Sequence, residues 1–444
     1  MAIVTSESAQ PSNPAQSQLL FTIHDTQPWF CATSVTIPAH LVERLYQLAL
    51  WAQQSHVHAP GFAQHNAPME YIEQTFSHNI IEHLKEFLFK YAVVNFLYEQ
   101  LRQHKILIAG DPRLSSVFVE RGKNAVFHFE LCLFPSIPFQ EWKYFPFKAP
   151  KRKNYKDLDR QVEAFITEEQ AQKERYSTTE IGIGDWVHFS IRLLDENNNP
   201  VFADTASVFW LRIGDEEADR YLSDLFVNKS VGQTIRTKNR SIQEFFSDPF
   251  SSSYNYGIEI LDVIPDSYFC LDLFKHQFRL KTNKEISQKF IEVYSYRNDL
   301  SLRRSMSEEA MRVLLHKHPF EVPNYLALRA QHTLLEIVQF NPDYYVYRMQ
   351  KDFKERIKEL AYRQIQEQIF IDQMAYDENI QLSQQDTKAY LNLTLRPRTK
   401  EFIYFDPPIT KIRGQEIPIH AHELTRTCLR EKTLNYIIYH LTKK

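Results

Sequence analysis

Three histidine pairs at two-residue spacing come nearest to metal ligation: His56/His58 (with His65 close by), His316/His318 and His420/His422. A zinc site needs three or four converging N, S or O ligands, and no cysteine or carboxylate converges on any pair by spacing. They read as solvent-exposed histidines, and no metal is expected. Cys31, Cys132, Cys270 and Cys428 are far apart and form no CxxC, which argues against a disulfide framework and fits a reducing compartment. The chain has no HExxH, P-loop, nucleophile elbow or dinucleotide fingerprint. No cofactor is expected, and any activity should be ATP-independent. What is left is apolar chemistry. Phe62 follows Pro60-Gly61, a strong turn signal. A bare phenyl ring on a turn asks for a partner, although single exposed apolar groups are common.

The elements that would position such residues follow from composition and periodicity. Hydrophobic residues make up 43% of 444 residues, enough for large cores. Only 9 are glycine, against a typical share of about 7%. Five of these (Gly182, Gly184, Gly214, Gly232, Gly257) cluster in the middle and one, Gly414, lies beyond. This predicts a turn-rich β module followed by a helical final third.

Residues 1–18, rich in Ser, Gln, Pro and Ala, read as a disordered leader. An α+β N-terminal domain is expected over 19–140: a strand from Phe30 to Ile37, helices over 41–54 and 71–103, and a hairpin around Arg121-Gly122. An extended connector and helix take 141–180. The β module spans 181–266 and the helical region 267–444. There a stripe of Phe353, Ile357, Leu360/Ala361, Ile365, Ile369 and Met374 marks a long helix. One helical segment is expected from Lys284 towards His318, with a capping box at Ser305–Glu308.

A net charge of −3 gives no bulk attraction to nucleic acid or acidic membranes. The one dense basic cluster, Lys148–Lys156, reads as a solvated face, with an RNA-binding adaptor as the alternative. No run approaches the ~18 apolar residues of a membrane span. The first Lys or Arg is Arg44, which does not fit a standard secretory signal. A cytoplasmic protein without a membrane partner is expected.

Several motifs, in this order, resemble trigger factor, the bacterial chaperone family of nascent chains. Val35-Thr-Ile-Pro-Ala39, the Pro60-Gly-Phe62 loop and Tyr71-Ile-Glu-Gln74 are similar to its docking domain. Gly184-Asp-Trp-Val187 resembles the opening of its FKBP-type prolyl isomerase domain. His318-Pro-Phe-Glu-Val-Pro323, Gln364–Asp372 and Leu429–Leu434 resemble its helical C-terminal domain. The resemblance runs from about residue 20 to the C-terminus. It implies a ribosome-docking domain, an FKBP-like β-sheet domain placed at the far end, and an all-α body whose arms form a cradle. Implied partners are the large ribosomal subunit near the exit tunnel and nascent or unfolded polypeptides. A homodimer off the ribosome and roles in folding, protein export and cell division are also implied.

Carried over residue by residue, the docking loop keeps Gly61, Phe62 and Pro68, but its cations are replaced by Ala63 and Gln64 and its second glycine by His65. Docking should then be weaker, or rest on Phe62. The isomerase cup maps onto Phe189, Phe202 and Phe209 as walls and Leu222 as floor. Ala203, Ala218-Asp219 and Tyr221 depart from the family pattern, and the flap is not recognisable within Ser241–Tyr256. An unpaired carboxylate on a dry floor costs several kcal/mol, so Asp219 is expected to point outward. The three Phe residues are expected to serve as β-core, with isomerase activity weak or lost. Tyr344, Tyr345, Tyr347, Phe402 and Phe405 are expected as exposed client contacts. The resulting reading is an ATP-independent chaperone; the alternative is an active peptidyl-prolyl isomerase.

Overall fold

The computed structural model describes residues 19–444 apart from 28, 57–58, 64–65, 135–136, 140, 152–156, 176–179, 196, 203–205, 239–241, 243–244, 247–253, 267–268, 298, 413 and 444. The expected leader, His58, His65, Ala203, most of the basic cluster and much of the flap stretch lie outside them. Lys148 and Lys151 are exposed.

The chain has an α+β architecture with a helical C-terminal body. The N-terminal sheet has strands β1 (Leu20–Gln27), β2 (Phe30–Ile37), β3 (Arg113–Phe118) and β4 (Ala125–Cys132) in antiparallel order β1-β2-β4-β3. β1 was not among the expected strands. Pro38 ends β2, and α1 (Ala39–His56) then buries Leu41, Val42, Leu45, Ala49 and Leu50, one helical stripe. Helix α2 (Met69–Leu88) runs through a π turn, Phe89–Val93, into α3 (Val94–Gln103). At that turn the Val94 N–H donates to the Phe89 carbonyl five residues back, the local widening that defines a π-bulge.

The middle sheet comprises β5 (Trp186–Leu194), β6 (Ser207–Arg212), β7 (Thr234–Thr237) and β8 (Asn255–Ile264), with α5 (Arg220–Phe226) between β6 and β7. Its order is β6-β5-β8-β7, and a two-residue strand from the far end of the chain, β9 (Ile419–His420), pairs with β6.

The helical body contains α4 (Leu158–Arg175), α6 (Leu271–Phe278), α7 (Asn283–Tyr294), α8 (Leu302–Lys317), α9 (Asn324–Gln339), α10 (Tyr344–Arg348), α11 (Phe353–Asp377), α12 (Gln384–Leu393), α13 (Pro397–Lys400) and α14 (Ala421–Thr442). The expected single segment from 284 to 318 is two helices. α8 starts at Ser301, whose side chain accepts from the Arg304 N–H, so Ser305 lies inside the helix rather than capping one. α4 joins this body, its Phe165 ring 5.1 Å from Phe290 on α7. The Pro-rich connector is fastened to it too. Trp142 is buried, its Nε1 donating to Glu378 at 2.9 Å, and Lys143 pairs with the same carboxylate at 2.6 Å.

The middle sheet is not at a far end. One continuous hydrophobic core runs from the N-terminal sheet through α2 into the middle sheet. Phe87 and Tyr91 meet Tyr254, Phe246 and Phe202 at ring distances of 4.6–6.1 Å. The Tyr91 hydroxyl accepts from the Leu193 N–H at 2.6 Å, and its carbonyl, at the π turn, accepts from Ser207 Oγ at 2.5 Å. Fully buried backbone groups need such partners, so the contact is specific as well as apolar. Arg44 on α1 adds an ion pair to Asp195 at 2.6 Å.

Candidate functional site

The most exposed apolar surface is the hairpin of α9 and α11 with α10 at its tip. Pro323 precedes α9, whose one buried residue is Leu326. Leu326, Val322, Ile365 and Ile369 pack on Ala109 and Cys132 of the N-terminal region. Gly110 has φ +73°, and a Cβ there would lie 2.7 Å from a Leu326 methyl, so the missing side chain lets the hairpin base seat. Further out the helices leave the body. Ile337, Phe340, Tyr345, Val346, Tyr347 and Met349 are exposed, Met349 by 84% and Phe340 by 78%. Contiguous apolar exposure of this kind marks an interaction surface.

The structure sorts the expected client contacts into two groups. Tyr345 and Tyr347 are exposed, and Tyr344 is half-buried with its ring 6.3 Å from Phe353. Phe402 is a correction. It is 1% exposed, packed in the core on Phe274 and Phe278. Phe405 is likewise half-buried against a core rather than free. In the α11 stripe, Ile357, Ala361, Ile365, Ile369 and Met374 are buried but Leu360 faces out. Sequence reasoning missed Ile337, Phe340 and Met349. Their signal was apolar residues crowded about Asn341-Pro342, a place where turn chemistry leaves no helix face to hide them.

The Pro-Gly-Phe loop is held at both ends. Ala59 and Ala67 are buried, Gln54 donates to the Ala67 carbonyl at 2.6 Å, and the Phe62 N–H closes a turn on the Ala59 carbonyl at 3.1 Å. Gly61 has φ +89°, where glycine is at no disadvantage. Phe62 is 38% exposed and rests one face near Tyr71 at 5.1 Å. Pro68, also exposed, precedes α2. Arg44, the one Lys or Arg between Cys31 and Ser77, is committed to Asp195.

The residues of the expected cup lie together in one buried core. Phe189, Phe202, Phe209 and Leu222 are at most 5% exposed. Phe226 lies 4.9 Å from Phe189, Tyr91 lies 5.6 Å from Phe202, and Phe245, Phe246 and His420 crowd Phe209 at 4.6–5.8 Å. The expectation for Asp219 is corrected. It is buried, and its Oδ1 accepts from the Glu416 N–H at 2.7 Å. A Cβ at Gly214 would collide with its carboxylate, so glycine there makes room for it. Glu416 is buried beside it, and burial first, with Asp219 adding, pushes the Glu416 carboxyl above its ordinary range.

The histidine expectation also needs correcting. His316 is exposed, but His318 is buried, its ring 5.3 Å from Phe145, and its Nδ1 donates to the Leu314 carbonyl at 3.1 Å. His420 and His422 are half-buried, the latter stacked on Tyr98 at 4.1 Å. Burial pushes His420 down to about 4 and His422 to about 3. Among the described residues no group of three or more His, Cys, Asp or Glu could hold a metal ion. No described helix is long and apolar enough to cross a membrane.

The family models for bacterial trigger factor protein and for its C-terminus match residues 21–168 and 284–399 respectively, together more than half of the chain. The chain belongs to the trigger factor family. No curated protein matches. A solved structure described under promiscuous substrate recognition in folding and assembly activities of the trigger factor chaperone is 14% identical. It aligns over 94% of this chain and 99% of that one with a TM-score of 0.36. In this trigger factor the N-terminal match carries the Phe62 loop and the C-terminal match carries the whole exposed hairpin.

Proposed function

We propose that this trigger factor is an ATP-independent molecular chaperone whose α9–α11 hairpin holds apolar segments of unfolded polypeptides. The observation that carries the reading is the hairpin tip, where Phe340, Tyr345, Val346 and Met349 are all more than 60% exposed. Such a surface is unfavourable in water unless a partner covers it. Flexible Met and planar Tyr suit partners of many sequences. Replacing Phe340, Tyr345 and Met349 together by serine should raise the concentration needed to suppress aggregation of a denatured model client by about tenfold. Stability should stay within about 0.5 kcal/mol, because the residues are on the surface. Equal suppression by the variant would remove the hairpin from the reading.

The Phe62 loop supports docking at the large ribosomal subunit near the exit tunnel, and with it a cytoplasmic, partly ribosome-associated protein. Its apolar tip is presented, and Arg44, the one Lys or Arg between Cys31 and Ser77, pairs with Asp195. Docking that rests on an apolar ring should depend only weakly on salt, whereas each phosphate contact steepens the salt dependence. Co-sedimentation with ribosomes should therefore fall little between low and moderate salt, and Phe62→Ala should abolish most of it. A steep salt slope, or pelleting unaffected by Phe62→Ala, would sink this docking mode. The packed state of Phe189, Phe202, Phe209 and Leu222 supports reading them as sheet core.

A further inference from the structure

The far end of the chain returns to the middle sheet as a strap. Lys411–Ile412 pairs antiparallel with Gln415–Glu416, and the Ile417 N–H donates to the Thr410 carbonyl at 2.8 Å. β9 then adds to β6 immediately before α14 begins. On the surface Lys411 pairs with Glu216 at 2.8 Å, and further along His420 lays its ring 4.6 Å from Phe209. An exposed ion pair and a two-residue strand hold little by themselves. The buried contact between them is that of Glu416 with Asp219.

Asp219 is 1% exposed and Glu416 7%. Asp219 commits Oδ1 to the Glu416 N–H, while its Oδ2 and the Glu416 Oε2 are buried without a hydrogen-bond partner among the described residues. Both residues line one narrow gap with Gly214, Leu222 and Ser223, and the gap has no room for a water molecule. The Ser223 hydroxyl is engaged, donating to the Gly214 carbonyl at 2.7 Å. The cations that face Glu416 are Arg212 on β6 and Lys411 in the strap. Each also lies against another carboxylate, Arg212 3.9 Å from Asp266 and Lys411 2.8 Å from Glu216. Two adjacent buried carboxylates without water or a cation of their own cannot both ionise except at high free-energy cost. One proton between them makes a donor and an acceptor of the two unpartnered oxygens.

We propose that Asp219 and Glu416 share a single proton, and that this proton locks residues 411–420 onto the middle sheet as a strap that opens when base removes it. Opening passes the proton to solvent, leaves two carboxylates that repel each other, and frees the outer side of β6 and the Phe209 ring. The sign follows from the geometry, because the closed strap binds a proton that the open one gives up. Burial first, with Asp219 and Glu216 adding and Arg212 and Lys411 opposing, pushes the Glu416 carboxyl upward from 4.5. Closure is therefore strongest below that ordinary value and weakens as the pH rises from there through the raised one. His420, the strap's other titratable group, is pushed down to about 4 by burial. Its protonation would loosen the strap in acid, the opposite direction. The lock is independent of the client and docking readings.

The test is amide hydrogen exchange on the full chain, corrected for the intrinsic rate at each pH and referred to residues 258–260 of β8. Between about pH 5.5 and pH 8, protection of residues 209–210 and 419–420 should fall about tenfold relative to that core. Glu416→Gln, whose neutral amide donates to Asp219 at any pH, should hold the strap closed and flatten the fall. Asp219→Asn keeps an acceptor for the Glu416 N–H and should flatten it too. Glu216→Gln removes only the surface ion pair and should keep the fall. Protection that does not change with pH in the wild type would overturn the proposal, as would a fall that survives in both Glu416→Gln and Asp219→Asn. Protection at pH 5.5 that EDTA abolishes would assign the gap to a metal ion and overturn the shared proton as well.

Discussion

Glu431→Ala is expected to destabilise the protein by about 3–5 kcal/mol, the range for removing one partner of a buried charged pair. Glu431 is fully buried on α14, and its carboxylate accepts the Tyr404 and Phe405 N–H groups at 3.0 and 3.1 Å. Arg303, 2% exposed, lies 3.6 Å away and also bonds Asn435. Burial pushes the Glu431 carboxyl up while Arg303 and the two amides pull it down. Alanine leaves a buried guanidinium and two amides short of an acceptor. Glu431→Gln, which keeps a side-chain carbonyl for the amides, should lose clearly less. Urea unfolding midpoints compare the two, and equal losses would show that the amide bonds are not what matters.

The second large effect concerns acid. His83 on α2 is 6% exposed, its Nε2 2.8 Å from the Tyr254 hydroxyl and its ring stacked on Tyr254 at 5.6 Å. Burial pushes it down to about 4, against a weak opposing pull from Glu86. A group whose folded pKa lies below its unfolded value near 6.5 binds fewer protons when folded. Stability is therefore intact above about pH 6.5 and falls as the pH drops from there to about 4, by roughly 2–3 kcal/mol for this residue. His420 and His422, also pushed down by burial, act in the same direction. Thermal melts between pH 7 and 4.5 should show the loss, and His83→Gln should flatten part of it. An unchanged slope would mean that His83 does not carry the effect.

Much of the secondary structure was legible. β2 occupies the predicted residues, and the stripe of α11 was read with Leu360 the one member turned out. β1 escaped because the whole of it is exposed or half-buried, so it lacks the alternation that a half-buried strand writes into sequence. The two-residue β9 is too short to carry any period. Phe402 was misplaced because its partners, Phe274 and Phe290, lie over 100 residues away, and an aromatic run in a Pro-rich stretch looks the same exposed or packed. Asp219 was argued outward because nothing nearby in sequence could receive it. Its donor is the Glu416 N–H, supplied almost 200 residues later in the chain. The loop and the tyrosines of α10 were visible because turn chemistry and local crowding are short-range facts.

The packing of Phe87 and Tyr91 into the middle sheet bears on how the chain can be cut. A fragment ending near residue 140 would bare those two rings and the Tyr91 carbonyl to water. The complementary fragment would bare Phe202, Phe246 and Tyr254. Each piece would carry an adhesive wound where the intact chain has interior. The N-terminal and middle sheets should consequently melt together in a single cooperative step, and fragment studies that treat them as two modules would be measuring aggregation rather than folding.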